Sequence, residues 1–492
     1  MRALHLTLRS STNSAPPLAF PVKPATPSDL LFSDTYSLPG FAAQLQNDTA
    51  DAEGDGNSTS FADTLNDGVS TEENANSTAP SPAPQDSRSR YQYLLEVITT
   101  SPTRGELTWK ETLLPERFTT SRAPIPCHDV VGRIVAVRFH PKLPLTSATS
   151  KPRRALTRES KYKIGDVVYG LIDFDQDGAA ADQVLVWDNE ICKVPVPPQA
   201  IAQGPKWDVM LATIPLAGLT AWQALFEKGS LQEPGFEPQN PLIPTMNVSE
   251  PDTERPILRI LITGASGAVG LLAVQMAAAA KSRRRDIHIT AICNSRHTHV
   301  LRELGADVIA SYDLGVNIED EVVPLAPFDL ILDLAGPPLL PAILSMHSTR
   351  LNGHDPTNAG MVHQSEHAHT LLRPNGKIVS IATPWTNDLA RAIKTDEPGK
   401  AWLKDRFKFF VVKPDTEQLS RISDLVEHGR LKCFVHEEVF NLERGKEAME
   451  ECERRGRQTL GKVVIRVSGS SLENDPSGAN RLAALSSHIP PA

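Results

Sequence analysis

The glycines of one short segment carry the clearest chemistry in this chain. The apolar run Ile257-Leu-Arg-Ile-Leu-Ile-Thr263 leads directly into Gly264-Ala-Ser-Gly267-Ala-Val-Gly270, and an Ala/Leu/Val/Met stretch follows to about Ala280. Small residues at such a turn let the backbone approach a pyrophosphate, while a helix opening there offers unpaired N–H groups and the positive end of its dipole. The spacing is GxxGxxG rather than GxGxxG, and a tight strand-to-helix turn without a ligand would use the same glycines. A second apolar run at 287–293 completes a strand–turn–helix–strand order that favours a nucleotide.

That second run ends Ala291-Ile-Cys293 and continues as Asn294-Ser295-Arg296. A site for NAD usually places Asp or Glu at this end to accept from the ribose 2′-hydroxyl, and no acid follows the run here. With Asn294 beside them, Ser295 and Arg296 can instead hydrogen-bond and neutralise a 2′-phosphate, which points to NADPH. The alternative is that Arg296 is simply a solvated residue at a helix start.

Other chemistry-bearing residues are less convergent. The five cysteines (Cys127, Cys192, Cys293, Cys433, Cys452) are odd in number, widely spaced and form no CxxC pair. That pattern excludes a disulfide scaffold and a four-cysteine zinc site, and it suits a reducing, cytoplasmic compartment. His363-Gln-Ser-Glu366-His367, with His369 nearby, satisfies an HxxEH pattern that on a helix would set two histidines on one face. It lacks an apolar helical context and reads as a solvated His-rich loop. Lys281-Ser-Arg-Arg-Arg285 closes the helix after the glycine turn, where cations complement the dipole; a phosphate contact is the alternative. Lys151-Pro-Arg-Arg154 has the look of an import signal but reads as a short basic loop.

These residues must be positioned by a chain of 492 residues, 40% apolar, 22% charged and 5% aromatic, with 40 Pro and 29 Gly. That length suits two or three domains. No apolar run approaches the length of a membrane-spanning helix, and the first seven residues lack the apolar stretch of a secretory signal. The net charge of −9 is local: Asp34, Asp48, Asp51, Glu53, Asp55, Asp63, Asp67, Glu72, Glu73 and Asp86 face the single base Arg88 in residues 34–89. The remainder is neutral and offers no basic face for nucleic acid. Residues 40–90 are rich in Asn, Asp, Ser, Thr, Ala, Gly and Pro and read as a disordered insert, so the sequons at Asn47, Asn57 and Asn76, like that at Asn247, read as chance matches. Further loop-like stretches lie at 141–161, 232–256 and from about 468.

Short β runs near 91–98, 129–137, 164–172 and 183–195, separated by Gly, Pro and Asp, predict a mostly β domain. From 205 to 400, apolar runs at 257–263, 287–293, 328–334 and 377–381 alternate with helical patterns, which predicts βαβ units and a parallel sheet. The run 461–467 returns to a β pattern. The expected class is α/β, with a nucleotide-binding domain set between two pieces of a β domain.

Several segments resemble the medium-chain dehydrogenase/reductase superfamily, above all its zinc-independent, quinone-oxidoreductase-like (enoyl reductase-like) branch. They are Tyr162-Lys-Ile-Gly-Asp-Val-Val-Tyr-Gly170, Asp177-Gly-Ala-Ala-Ala-Asp182, Leu216-Ala-Gly-Leu-Thr-Ala-Trp-Gln-Ala224 and Leu261-Ile-Thr-Gly-Ala-Ser-Gly-Ala-Val-Gly270. In the same order come Leu301-Arg-Glu-Leu-Gly-Ala-Asp307, Asp329-Leu-Ile-Leu-Asp-Leu-Ala-Gly336, Arg373-Pro-Asn-Gly-Lys-Ile-Val379 and Gly461-Lys-Val-Val464. The resemblance covers about 91–230, 257–340 and 371–467. Met1-Arg2-Ala3-Leu4 also looks like the family's first strand, which argues against a mitochondrial transit peptide. The insert at 40–90 departs from the family pattern.

The resemblance implies a GroES-like β-barrel catalytic domain at 1–39 and 91–210, a Rossmann doubly wound parallel sheet domain binding NADP at 211–400, and a return to the first domain at 401–467. Residues 40–90 would be a disordered acidic insert and 468–492 a disordered tail. Gly264, Gly267 and Gly270 would face the pyrophosphate, with Ser266, Ala268 and Val269 lining the loop. Thr220, Gly336 and Thr383 would flank the nicotinamide, and Val411 and Lys462 would touch the cofactor from the returning segment. Zinc-dependent members use a cysteine, a Gly-His-Glu histidine and a second cysteine. Here Cys127-His128-Asp129 stands for the middle element, no cysteine precedes it, and Leu216 holds the second cysteine's place, so no catalytic zinc is expected.

The implied activity is an NADPH-dependent, zinc-independent reductase of quinones or α,β-unsaturated carbonyls. Gly105-Glu106-Leu107-Thr108-Trp109 resembles a segment at the cleft floor, where Thr108 could donate to a substrate oxygen and Glu106 could shuttle a proton. Glu106 capping a turn, Thr108 merely packing, and His128 as a buried structural histidine are the alternatives to catalytic roles. A trans-acting enoyl reductase of a secondary-metabolite pathway and a non-catalytic NADPH-binding interaction protein are the alternative functions. The expected partner is a small-molecule substrate, with no nucleic acid and no membrane, and a homodimer is common in the family.

Overall fold

A computed structural model of the chain describes residues 2–6, 30–33, 90–108, 125–140, 160–196, 207–235, 257–281, 286–315, 317–336, 371–382, 405–454 and 460–468. Strands β1 (Ala3–Leu6) and β2 (Leu30–Ser33) form an antiparallel pair. They lie against a mixed sheet begun by β3 (Arg90–Ser101), β4 (Asp129–His140), β5 (Val167–Leu171), β6 (Gln183–Trp187) and β7 (Ile191–Lys193). Helices α1 (Trp207–Leu211) and α2 (Pro215–Trp222) then lead to β8 (Ile257–Thr263), α3 (Ala268–Ala279), β9 (Asp286–Cys293), α4 (Thr298–Glu303), β10 (Val308–Ser311), α5 (Ile318–Val322), β11 (Phe328–Asp333), β12 (Leu372–Ser380) and β13 (Phe407–Phe409). The chain closes with α6 (Thr416–Glu427), β14 (Val435–Asn441), α7 (Gly445–Glu453) and β15 (Lys462–Arg466).

The second sheet is six-stranded and parallel throughout, in the order β10-β9-β8-β11-β12-β13. Counted from β8 this is 3-2-1-4-5-6, the doubly wound order whose direction reverses between β8 and β11. The apolar run of β8 is continuous because both faces are covered. Ile260 and Ile262 join Leu271, Val274 and Ile289 in one core, while Leu261 joins Ile292, Ile331 and Ile378 in another. In the mixed sheet, ordered β14-β15-β3-β4-β5-β7 with β6 on β3, the residues of β6 instead alternate between half-buried and buried, while β5 is buried throughout. Tyr93, Leu95, Val97, Val130, Ile134 and Val168 build its core, and the first strand seals it through Ala3 and Leu4.

One boundary differs from expectation. Residues 407–409 fall in the segment read as a return to the β domain, yet β13 pairs with β12 and completes the parallel sheet. A three-residue edge strand reading Phe-Lys-Phe has too little apolar periodicity to announce itself. Within the parallel sheet, β10 is four residues long, too short for its apolar pattern to predict a strand. The acidic insert (apart from Arg90, which opens β3), the sequons, Lys151–Arg154 and residues 469–492 lie outside the described residues. Among the described helices, none is long and apolar enough to cross a membrane.

Candidate functional site

At the carboxyl end of β8 the three glycines have three different geometric reasons. Gly264 adopts φ +64°, a left-handed conformation, and a Cβ there would press on Ala335 and Leu334 of the loop after β11 at 3.2–3.3 Å. Gly270 lies so close beneath the turn that a Cβ would fall 2.5 Å from the Gly264 carbonyl oxygen and 2.6 Å from Ala265 Cα. Gly267 is the N-cap position just before α3 and is exposed; a Cβ there would meet only the Gly264 oxygen, at 3.3 Å. No side chain caps this helix, so the N–H groups of Ala268 and Val269 belong to the orphan donors of a first turn. Ser266, Ala268 and Val269 are half-buried around it. A small anion fits an uncapped, glycine-lined helix start of this kind.

The turn is tied to its neighbours. Ala265 N donates to the Ile292 carbonyl at 3.0 Å, which sets the turn beside the end of β9. Across the reversal point, buried Asp333 accepts from Thr263 Oγ1 at 3.0 Å and Gly336 N at 3.1 Å through Oδ1, and from Ser380 Oγ at 2.8 Å through Oδ2. Burial pushes the Asp333 carboxyl up, against the pull of the Ser380 bond. This network joins the ends of β8, β11 and β12 and holds buried Gly336, at φ +75°, in place.

At the end of β9, Asn294 Oδ1 accepts from Arg296 Nε at 2.7 Å. Ser295 is engaged from the turn after β10. Its N–H donates to Asp313 Oδ1 at 2.7 Å and its hydroxyl to Asp313 Oδ2 at 2.8 Å. Sequence reasoning found no acid at this end, because Asp313 arrives only through the pairing of Ser311 with Cys293 in β10 and β9. An acid just past the end of the following strand was the available signal. Lys281, at the end of α3, pairs with Asp307 at 3.0 Å, and the rest of its basic cluster lies outside the described residues.

A second polar cluster sits beside β4. Glu106 is buried; its Oε2 accepts from Thr103 N and its Oε1 from Cys127 N, both at 2.9 Å. Burial pushes its carboxyl up to about 7. Those bonds anchor Cys127, which adopts φ +71°. His128 is buried, with Nδ1 3.1 Å from the Ile172 carbonyl oxygen and its ring edge-on to Phe174. Buried Asp129 pairs with the Lys462 ammonium and accepts from Leu216 N at 2.7 Å, so it ties β15 and the start of α2 to β4. On α2, Thr220 is buried and returns its hydroxyl to the Leu216 carbonyl at 2.6 Å. The same helix packs on α3. Just beyond it, Gln223 Nε2 donates to the Lys413 carbonyl at 2.8 Å, which clasps the segment holding half-buried Val411.

The candidates thus gather in two places: Gly264, Ser266, Gly267, Ala268, Val269, Gly270, Asn294, Ser295, Arg296 and Gly336 around the strand-order reversal, and Glu106, His128, Thr220 and Lys462 around β4. Thr383 and the 363–369 histidine cluster lie outside the described residues, as does the Thr108 side chain. The residues near His128 do not fit a zinc ion. Asp129 is committed to Lys462 and Leu216, burial pushes the Cys127 thiol well up, and among the described residues no three His, Cys, Asp or Glu side chains converge.

Comparison with known proteins agrees with this architecture. The zinc-binding dehydrogenase family profile matches residues 357–465. A probable zinc-binding oxidoreductase, mitochondrial, from Arthroderma benhamiae is 25% identical over 383 residues, covering 76% of this chain and 88% of that protein. The human NAD(P)H oxidoreductase RTN4IP1, mitochondrial, is 30% identical over 175 residues, 36% of each protein. A quinone-oxidoreductase homolog, chloroplastic, from Spinacia oleracea is 29% identical over 200 residues, 41% of this chain and 45% of that one. Among solved structures, CurK enoyl reductase superposes with a TM-score of 0.51 at 17% identity, over 79% of this chain and 94% of that chain, a likeness of fold.

Proposed function

We propose that this chain, a medium-chain dehydrogenase/reductase of the quinone-oxidoreductase-like kind, is an NADPH-dependent, zinc-independent reductase of quinones or α,β-unsaturated carbonyls. The observation that carries the reading is exposed Gly267 at the uncapped start of α3, between Gly264 in a left-handed turn and Gly270 packed beneath it, at the reversal point of a doubly wound sheet. The names of the human and spinach relatives, an NAD(P)H oxidoreductase and a quinone-oxidoreductase homolog, agree with it.

In this reading the N–H groups at the start of α3 hold the pyrophosphate, and Gly264 keeps the turn tight enough for contact. Arg296 neutralises a 2′-phosphate, with Asn294 orienting its guanidinium through the Nε bond. Thr220, Gly336, Thr383 and Val411 flank the nicotinamide, and Lys462 borders the cofactor from β15. The bound nicotinamide supplies a hydride from its C4 to an electron-poor carbon of the acceptor. The protein's part is to orient the two reactants, exclude water and stabilise the developing enolate by hydrogen bonds. No carbonyl is polarised by metal at His128, which suits acceptors that are already activated. Glu106, with its carboxyl near 7, exchanges a proton close to neutral pH. Its two bonds to backbone N–H groups make it first an anchor of the Cys127–Asp129 segment, and Thr108 is the remaining candidate donor to a substrate oxygen.

NADPH consumption by the purified chain on enones, quinones and aldehydes, with NADH in parallel and with a zinc chelator added, tests the proposal. Turnover on enones or quinones that survives the chelator supports it. Chelator-sensitive turnover would sink the zinc-independent mechanism, and tight binding without turnover would favour a carrier-bound enoyl substrate or a non-catalytic role. We assign the chain to the cytoplasm, where its five free cysteines fit, and cell fractionation is the check, since the fungal and human relatives are named mitochondrial.

A further inference from the structure

The loop after β10 brings a fixed negative charge to the subsite assigned to the 2′-phosphate. Both oxygens of Asp313 are bonded by Ser295, at 2.7 Å from its N–H and 2.8 Å from its hydroxyl. Those bonds, with the nearby Arg296 guanidinium, hold the exposed Asp313 carboxyl below the usual carboxylate range, so it is ionised at neutral pH. A serine hydroxyl has one proton to give, and here it is given to Asp313.

We infer that Asp313 is a cofactor-selectivity residue whose carboxylate accepts from a ribose 2′-hydroxyl and opposes a 2′-phosphate, so that the site takes NADH alongside NADPH. The inference rests on the nicotinamide-dinucleotide reading above. An acid at the end of the second strand of such a sheet is the usual acceptor for the 2′-hydroxyl, and Asp313 delivers one to that place from the loop after the neighbouring strand. A 2′-phosphate must either displace the Ser295 hydroxyl from Asp313 or settle beside the carboxylate, and each lowers its affinity. Arg296 works in the opposite sense. The two residues, held by adjacent hydrogen bonds to Asn294 and Ser295, leave a modest preference rather than an exclusive one.

The test is equilibrium binding of NADPH, NADH, 2′,5′-ADP and 5′-ADP to the full chain and to Asp313→Asn, Asp313→Ala and Arg296→Ala. Asp313→Asn keeps an acceptor for the Ser295 N–H and removes the charge together with the acceptor for the Ser295 hydroxyl. The NADPH-to-NADH affinity ratio is expected to rise about fivefold in both Asp313 variants, and the 2′,5′-ADP-to-5′-ADP ratio with it. Arg296→Ala is expected to lower the ratio by about tenfold. Unchanged ratios in both Asp313 variants, with the Arg296→Ala loss intact, would overturn the role of Asp313 and leave the cofactor reading standing. Failure of the wild-type chain to bind either dinucleotide would overturn both.

Discussion

At the carboxyl ends of β8, β11 and β12 the buried polar groups shape backbone around an exposed helix start, whereas beside β4 and β15 they bond one another below the surface. In the first region Asp333 orders Thr263, Gly336 and Ser380, and nothing caps the helix at Gly267. In the second, Glu106, Asp129 and Lys462 satisfy each other or nearby N–H groups. The difference follows from what each must do. On the proposed reading, a site for a large charged ligand keeps donors open to solvent, while a buried junction between a sheet and the helix packed on it cannot leave a charge unpaired without a cost of several kcal/mol, on the order of 3–5. Residues that look catalytic by type in the second region are anchors of its geometry, and their chemistry is bounded by those bonds.

The comparison breaks most sharply at Lys462. Lys462→Met should leave Asp129 buried and unpaired and lower stability by about 3–5 kcal/mol in chemical denaturation, while adding Asp129→Asn should recover most of the loss because Asn still accepts from Leu216 N. A loss below about 1 kcal/mol would mean the pair is solvated rather than buried.

The glycines offer a contrast within the first region. Gly270→Ala drives a Cβ into backbone at 2.5 Å and should cost about 1–3 kcal/mol of stability as well as cofactor affinity. Gly267→Ala, with a single contact at 3.3 Å, should keep the melting temperature while weakening NADPH binding by about tenfold, because the added methyl intrudes on the ligand side. Equal destabilisation by the two variants would erase the distinction between a packing glycine and a ligand-facing one.

The smallest expected effect concerns pH in the second region. The Glu106 carboxyl rises from 4.5 to about 7 on folding, so the folded state favours its protonated form. Its contribution to stability is full below pH 4.5 and is lost as pH rises through 7. Glu106→Gln should therefore gain on the wild type across that window and level off above it, as read from melting temperatures in a series of buffers. Glu190, whose carboxyl receives the N–H groups of Trp187 and Asp173 and lies near 8, should behave with the same sign up to that higher pH. A difference curve that is flat from pH 4.5 to 8 would show that neither carboxyl titrates in the folded chain in this way.

Much of this was legible in the residues themselves. An apolar run meeting glycines three apart identified β8, its turn and α3, because a strand covered on both faces must be continuously apolar and a backbone that approaches a phosphate must lack side chains. The runs at 287–293 and 328–334 announced β9 and β11 for the same reason. What tertiary structure alone decided were pairings between residues far apart in the chain: Asp129 with Lys462, Asp333 with Thr263 and Ser380, and Asp313 with Ser295. Local sequence shows that a carboxylate is present, but whether it is an acid, an anchor or a selectivity residue depends on which donors the fold brings within about 3 Å of it, and on how much water remains there.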